Sequence, residues 1–223
     1  MSTLSNSFTD QAAGASGTFS APIADRKKGR LEITNGISNL DLMGGASAED
    51  LFQAQFSGLI PSVITRADRV VIRYRPSVVD WFKHGLFGNR HSSSIRLNSS
   101  VPWELDLHGG VSNLDADLQE ISLRSLTLTG GVSQATILLP HPIGTVQIQF
   151  ASGVSNLKIV HPPDVAAQLR VGGGASQLMF DDQHYGSIGG EIRLTTPEYK
   201  SAADRYDITV GGGVSNLVVR SQA

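Results

Sequence analysis

The stretch Gly110-Val111-Ser112-Asn113-Leu114 decides the fold, because close copies of it recur along the chain. The other copies begin at Gly36, Gly131, Gly153, Gly174 and Gly213. From Gly110 to Gly174 the successive copies are 21, 22 and 21 residues apart. A repeat of this length, built from glycine and strand-forming residues, is typical of a solenoid whose coils stack and bury a continuous core.

Residues at equal distance from the motif glycine are expected to lie above one another in such a stack. The positions one, four and six residues after the glycine are apolar in every copy, as Val111, Leu114 and Ala116 are in this one. Leu114 and Ala116 share the parity that sends alternate side chains of a strand to one face, whereas Val111 has the opposite parity. We therefore predict a corner between them, with the glycine supplying a positive backbone angle.

The Ser and Asn or Gln columns at this corner have two interpretations. They form a hydrogen-bonded ladder that holds the coils in register, or they form a polar strip that binds a ligand. The ladder is the simpler account, because amide side chains stack well between equivalent strands.

These patterns predict an all-β protein, a single right-handed parallel β-helix of about eight or nine coils, each of 21–22 residues. Residues 1–25 are predicted to be a flexible N-terminal tail in which Thr18 to Ile23 pairs with the first coil. Residues 26–223 are predicted to form the solenoid, with two degenerate coils and a loop insertion near residues 80–90. Gly189 to Leu194 resembles a weakened copy of the motif.

Composition limits the possible partners. The chain has 18 Lys plus Arg against 20 Asp plus Glu, which argues against a nucleic-acid partner. There is no cysteine, so no disulfide or thiolate metal site is expected. No apolar run is long enough for an integral membrane segment, and no standard secretory signal is present, so a cytoplasmic location is predicted.

Two segments are candidate contact sites. Trp81, Phe82, Leu86 and Phe87 lie in a glycine-bounded loop of a chain with only 6% aromatic residues. This loop is a hydrophobic contact for a partner or membrane surface, or it covers an open part of the solenoid. Leu217, Val218 and Val219 form the last predicted strand, whose unpaired backbone is a candidate edge for self-association.

The outward positions of the motif, five and seven residues after the glycine, show no acidic pair and no stripe of one charge. Several are apolar, namely Leu138, Val160, Met179 and Val218. Apolar outward residues predict a face that is only partly solvated and that another element or a partner covers.

No catalytic motif is recognisable, and we predict no enzyme activity, no cofactor and no metal. His141 and His161 are each followed by proline and are 20 residues apart. With Asp164 they could form a surface metal site, but proline-directed corners account for them more simply.

Leu31-Glu32-Ile33-Thr34-Asn35-Gly36-Ile37-Ser38-Asn39-Leu40, together with the later Gly-Val-Ser-Asn-Leu coils, resembles the bacterial toast-rack, putative-adhesin and LiaF-like β-solenoid domains. The resemblance covers residue 26 to the end and implies a β-solenoid fold. Relatives of this kind often accompany membrane helices in envelope-stress or surface proteins. The resemblance brings no catalytic residues.

We predict a non-catalytic structural or interaction module, a scaffold that self-associates through the solenoid ends or binds a protein partner. The alternative is an envelope-associated adhesion or ligand-binding domain that recognises a glycan or peptide. A carbohydrate-active β-helix enzyme is a third interpretation, and it would need carboxylates clustered in one groove.

Overall fold

The computed structural model describes residues 5–11, 14–74 and 92–222, and this part of the chain forms β-strands and no helix. The strands are β1 Ser5–Gln11, β2 Gly14–Pro22, β3 Gly29–Thr34, β4 Ile37–Met43, β5 Asp50–Ser57, β6 Ser62–Arg66, β7 Arg69–Arg73, β8 Ser92–Leu97, β9 Pro102–Leu107, β10 Val111–Asp117, β11 Ser122–Leu128, β12 Val132–Leu138, β13 Thr145–Phe150, β14 Val154–His161, β15 Ala166–Val171, β16 Ala175–Phe180, β17 Gln183–Tyr185, β18 Ile192–Thr195, β19 Arg205–Val210 and β20 Val214–Ser221.

The strands form two mixed sheets. Sheet A has the order β1-β2-β5-β8-β4-β10-β12-β14-β20-β16-β17, and sheet B has the order β18-β15-β19-β13-β11-β9-β3-β7-β6. Within sheet A the strands from β8 to β16 pair in parallel. Within sheet B the strands from β15 to β7 do the same. The fold is therefore an all-β solenoid, as predicted, and its handedness stays a prediction.

The stack has seven parallel levels in place of the predicted eight or nine, and they do not follow the order of the sequence. The C-terminal strands β19 and β20 lie between the level of β13 and β14 and that of β15 and β16. The prediction that Leu217, Val218 and Val219 form an exposed edge is therefore wrong. Their strand is hydrogen-bonded on both sides, and Leu217 and Val219 are completely buried.

Antiparallel strands close the parallel part of each sheet at both ends. In sheet A, β5 pairs with β8 and β17 pairs with β16, while in sheet B, β6 pairs with β7 and β18 pairs with β15. The structure differs here from two expectations. The supposed tail forms β1 and β2, with Phe19 and Ala21 in the core, and Ile192 to Thr195 runs antiparallel to the coils.

The core is made by the apolar columns of the repeat. Val111, Leu114 and Ala116 are buried, as are their equivalents at each of the other five motif copies. Larger side chains fill the space between the sheets. Two of the largest fully buried ones, Trp103 and Tyr206, carry a polar group, and each forms a hydrogen bond. Trp103 donates its Nε1–H to the carbonyl of Asn98 at 2.8 Å, and Tyr206 donates its hydroxyl to the carbonyl of Pro140 at 2.7 Å.

The Asn or Gln of the motif has a positive φ in every copy, whereas the glycine has one only at Gly36 (76°) and Gly174 (80°). Asn39, Asn113, Gln134, Asn156, Gln177 and Asn216 all have φ between 51° and 56°. Asparagine tolerates this left-handed conformation better than most residues, which explains its place in the motif. Two pairs of these amides bond between neighbouring coils, Asn113 to Asn39 at 2.8 Å and Asn216 to Asn156 at 2.9 Å, as the ladder interpretation requires.

The glycines allow neighbouring coils to approach closely through their backbones. A Cβ atom on Gly130 would lie 2.2 Å from the carbonyl carbon and oxygen of Gly109, and one on Gly212 would lie 2.5 Å from the nitrogen of Gly153. No real Cβ makes such contacts, so these positions exclude any side chain. The glycines thus set the contact between levels while the amides set the turn.

Candidate functional site

Sheet A exposes a continuous outer face whose side chains come from the motif positions that point away from the core. Strand register aligns one column of residues at the fifth position and one at the seventh position after each glycine. In the order of the stack, the first column is Asp41, Asp115, Thr136, Lys158, Val218 and Met179, and the second is Met43, Asp117, Leu138, Val160 and Arg220. We call these two columns the sheet A face.

The charges on the sheet A face are segregated along the stack. Asp41, Asp115 and Asp117 are exposed on β4 and β10, whereas Lys158 and Arg220 lie on β14 and β20. Within the described residues, none of these five side chains forms an ion pair. Within the motif columns the two halves of the face therefore carry opposite charges that form no ion pair in the described residues. Arg96 on β8, which register places beside Met43, adds an exposed positive charge next to the acidic half.

Apolar side chains occupy the space between and beside these charges. Leu138, Met179 and Val218 are half-buried, and Val160 is 8% exposed. Register places Val160 beside Leu138, and Val218 between Lys158 and Met179. The insertion of β20 thus assembles one partly solvated apolar area from residues that lie far apart in the sequence.

Only one of the two contact sites predicted from the sequence lies in the described part of the chain. Of the predicted C-terminal edge, only Val218 faces outward, and it lies within the sheet A face. Trp81, Phe82, Leu86 and Phe87 lie outside the described residues, so the interpretation of their loop stays a prediction.

A second surface follows the corners of the coils. An open groove of about 700 Å³ is lined by glycines and by the serine column, including Ser133, Ser155, Ser215 and Ser176. These serines occupy successive levels of the stack. The groove carries no charged side chain, and the amides beside it are partly engaged with one another, so it has no group that would select a ligand.

The two histidines that precede prolines have different surroundings. His141 is 70% exposed and its Nδ1 lies 3.8 Å from Asp164, whereas His161 is 2% exposed and its Nε2 lies 3.5 Å from Asp181. In the described part of the chain, no three His, Asp or Glu side chains are grouped as metal ligands. The sequence did not signal the proximity of His161 to Asp181, because their strands are separated in sheet A by β20.

The most strongly perturbed ionisable groups are structural tyrosines. Burial raises the pKa of Tyr206 far above its ordinary value. Burial also raises the pKa of Tyr74, and the hydrogen bond with Ser93, 2.7 Å between the oxygens, partly opposes this shift. Both shifts reflect placement in the core, so neither identifies an acid or base for catalysis.

The stacked parallel strands define a β-solenoid domain, and comparison with known proteins agrees with this fold class. The chain belongs to the family described as the N-terminal domain of toast_rack, DUF2154, which matches residues 10–160. No curated protein matches the chain significantly. Across the described residues the structure contains no helix that could cross a membrane.

Two solved structures are similar to the chain. One is a putative cell adhesion protein from Clostridium sporogenes, with 15% identity, a TM-score of 0.65 and complete coverage of both chains. The other is a putative adhesin from Bacteroides fragilis, with 11% identity and a TM-score of 0.29, covering 99% of this chain and 97% of that one. The first structure shares the fold of this chain, and its 15% identity shows nothing beyond the fold. The TM-score of the second is too low to show a common fold.

Proposed function

We propose that the protein is a non-catalytic interaction module that self-associates through the sheet A face. The observation that carries the proposal is the segregated charge of the motif columns on that face, which forms no ion pair in the described residues. Antiparallel strands pair with the outermost parallel strands of both sheets, so the end-to-end contact between coils predicted from the sequence would have to form through these short strands instead.

Asp115 and Lys158 are placed so that each can meet the other on a second copy of the same chain. A twofold axis along the strand direction, through β12, keeps each column opposite itself and reverses the order of the levels. Asp115 then faces Lys158 of the second copy, and this pair occurs twice. The other three charges of the face, Asp41, Asp117 and Arg220, then lie opposite apolar side chains. Leu138 faces its own equivalent at the centre. The other in-plane axis would place Asp115 against Asp117, so electrostatic repulsion disfavours it.

The expected contact is small, which makes the association weak. Five levels spaced ~4.8 Å apart, with two outward columns, cover roughly 24 Å by 14 Å, or about 350 Å² of each copy. Stable interfaces bury about 800 Å² of each partner, so we expect a transient dimer that forms at high concentration.

A charge-reversal series tests the proposal. The parent chain, Asp115→Lys, Lys158→Asp and the double variant are compared by sedimentation velocity from about 10 μM to about 1 mM, because a contact of this size gives micromolar or weaker binding. Each single reversal places like charges opposite each other and should weaken dimerisation at least about tenfold. The double variant restores opposite charges and should recover it.

Glu191→Lys and Lys200→Asp are the matched controls, because both side chains are exposed and lie away from the sheet A face. They should leave dimerisation unchanged. A parent chain that stays monomeric, or a double variant no better than the singles, contradicts the proposal.

Adhesion to an envelope glycan or peptide remains the alternative function. The similarity to the clostridial protein does not favour it over self-association, because 15% identity supports the fold alone. The predicted cytoplasmic location also stays a prediction, and the charge-reversal experiment does not depend on it.

A further inference from the structure

A cleft of about 610 Å³ opens at the β16 end of the stack. The loop after β14, the end of β16 and the segment after β18 line it. Its carboxylates are Asp164, Asp181, Asp182 and Glu198, and no Lys or Arg side chain in the described residues lines it. Negative charge is thus concentrated at one place in a chain of nearly balanced composition.

A buried histidine lies against these carboxylates. The Nδ1 of His161 is 2.9 Å from the carbonyl oxygen of Pro162, and since a carbonyl only accepts, Nδ1 carries the proton. The Nε2 atom is buried and has no hydrogen-bond partner. It lies 3.5 Å from Oδ1 of Asp181, which also accepts the backbone N–H of Ser221 at 3.2 Å.

This arrangement is short of positive charge. In the neutral tautomer, Nε2 presents a lone pair to the Asp181 carboxylate, and an unpartnered buried acceptor beside a carboxylate is unfavourable. A cation bound by Asp181 from the cleft side would reduce the negative charge that faces this lone pair. Oδ2 of Asp181 makes no hydrogen bond in the described residues, so it is available to an external donor.

The cleft suits an organic cation better than a metal ion. Calcium needs six to eight oxygen ligands converging at 2.3–2.6 Å, and the described residues contain no such grouping. A guanidinium or ammonium group spreads several donors over a wider area and can bond carboxylates that do not converge. Pro163, Leu194 and Pro197 on the walls provide apolar surface for a short alkyl chain.

We propose that this cleft binds an alkylguanidinium or alkylammonium group, with Asp181, Asp182 and Glu198 holding the charge. His161 lies behind Asp181, with its Nε2 3.5 Å from Oδ1, and therefore reports on the state of that carboxylate without touching the cation. The cation is either a free small amine or guanidine, or the side chain of a lysine or arginine in a peptide. This inference can be tested separately from self-association, because Asp115 and Lys158, the residues reversed in that test, do not line the cleft.

The test is an NMR titration of the full chain at constant ionic strength, following the ring ¹H–¹³C signals of the histidines. Agmatine, cadaverine and a Gly-Arg-Gly peptide with blocked ends are the cationic probes, and n-butylurea is the neutral one. For millimolar binding, titration to about 20 mM approaches saturation. We expect at least one cationic probe to shift the His161 signal saturably while leaving that of His108, at a distant corner, unchanged.

Variants of exposed carboxylates supply the second measurement. Asp182→Asn combined with Glu198→Gln should weaken the affinity about tenfold or more, whereas Glu120→Gln combined with Glu191→Gln, which removes two carboxylates outside the cleft, should not change it. Both pairs are exposed, so the fold is expected to tolerate them.

The probes also separate the sources of the cation. Binding of agmatine or cadaverine supports a free amine or guanidine as ligand, and binding of the peptide alone supports a protein side chain. The proposal is overturned if no cationic probe gives a saturable shift, if n-butylurea shifts the ring equally, or if the Asp182 and Glu198 double variant binds as the parent does. A response to calcium chloride alone, with none to the organic cations, also overturns it.

Discussion

The adjacent glycines Gly130 and Gly131 allow the packing between coils to be tested with the smallest possible change. An alanine Cβ at position 130 would lie 2.2 Å from the carbonyl group of Gly109, whereas one at position 131 would lie 3.8 Å from the nearest atom, the carbonyl oxygen of Gly153. Neither glycine has a positive φ, so the two substitutions differ in contact and not in backbone strain.

The expected effects have opposite sign. Gly130→Ala forces two backbones apart, and we expect it to cost about 2–4 kcal/mol of the free energy of unfolding, at or above the usual cost of overpacking. Gly131→Ala meets only an ordinary contact and reduces the freedom of the unfolded chain, so it should be neutral or stabilise by ~0.4–1 kcal/mol. For a chain of this size, Gly130→Ala should lower the Tm by roughly 5–12 °C.

Urea denaturation followed by circular dichroism measures both free energies. The parent chain is the reference, and the slope of the transition shows whether unfolding stays cooperative. Equal destabilisation by the two variants, or tolerance of Gly130→Ala within about 0.5 kcal/mol, the usual range for exposed sites, would refute the close contact between coils.

The remaining predictions concern one buried hydroxyl and one corner. Tyr206→Phe leaves the Pro140 carbonyl without its donor and should cost about 1–3 kcal/mol in urea denaturation at pH 7. Burial raises the pKa of Tyr206 in the folded protein above the unfolded-state pKa of about 10. The Tyr206 phenol therefore contributes its full stabilisation below about pH 10, and this stabilisation is lost as the pH rises above that value. The free energy of unfolding should therefore fall less steeply above pH 10 in Tyr206→Phe than in the parent, and identical slopes would contradict this. At the corner, Gln134 has φ 54°, and its amide forms no hydrogen bond with a neighbouring coil in the described residues. Gln134→Gly should therefore raise the Tm and Gln134→Val should lower it, and the free energies of unfolding of the two variants should differ by about 1–2 kcal/mol.

The sequence predicted the core well because the core follows from local periodicity. Val111, Leu114 and Ala116 have equivalents at every copy, and all of them are buried. The corner was predicted at the correct place, but the positive φ assigned to glycine occurs only at Gly36 and Gly174, whereas the Asn or Gln has it in every copy. Asparagine at three residues after the glycine was the available signal, since it adopts the left-handed conformation that the turn requires.

The order of the levels could not be predicted from the repeat. The copies at Gly174 and Gly213 carry the same motif, so Ser155 could pair with Ser176 or with Ser215 without any change in the local pattern. Ser215 is its actual neighbour. Long-range pairing decides this order, and a motif shared by all coils carries no information about it.

The apolar part of the sheet A face was predicted from the outward positions, but its charge segregation and the acidic cleft were not. Asp115 and Asp117 belong to different columns, so neither column alone shows their proximity. The contact of His161 with Asp181 also depends on three-dimensional arrangement, because these residues lie on strands that flank the inserted β20.

The insertion of β20 beside β14 is the central claim, and a disulfide tests it most directly. The chain has no cysteine, so Ser155→Cys with Ser215→Cys, and Ser155→Cys with Ser176→Cys, each introduce a single pair. Paired strands lie ~4.8 Å apart, within the range of a disulfide, whereas residues two levels apart are separated by ~9.6 Å, beyond it. Mass spectrometry after mild oxidation of the folded chain should find an intramolecular disulfide between positions 155 and 215 and none between 155 and 176, and the reverse result would contradict the stacking order.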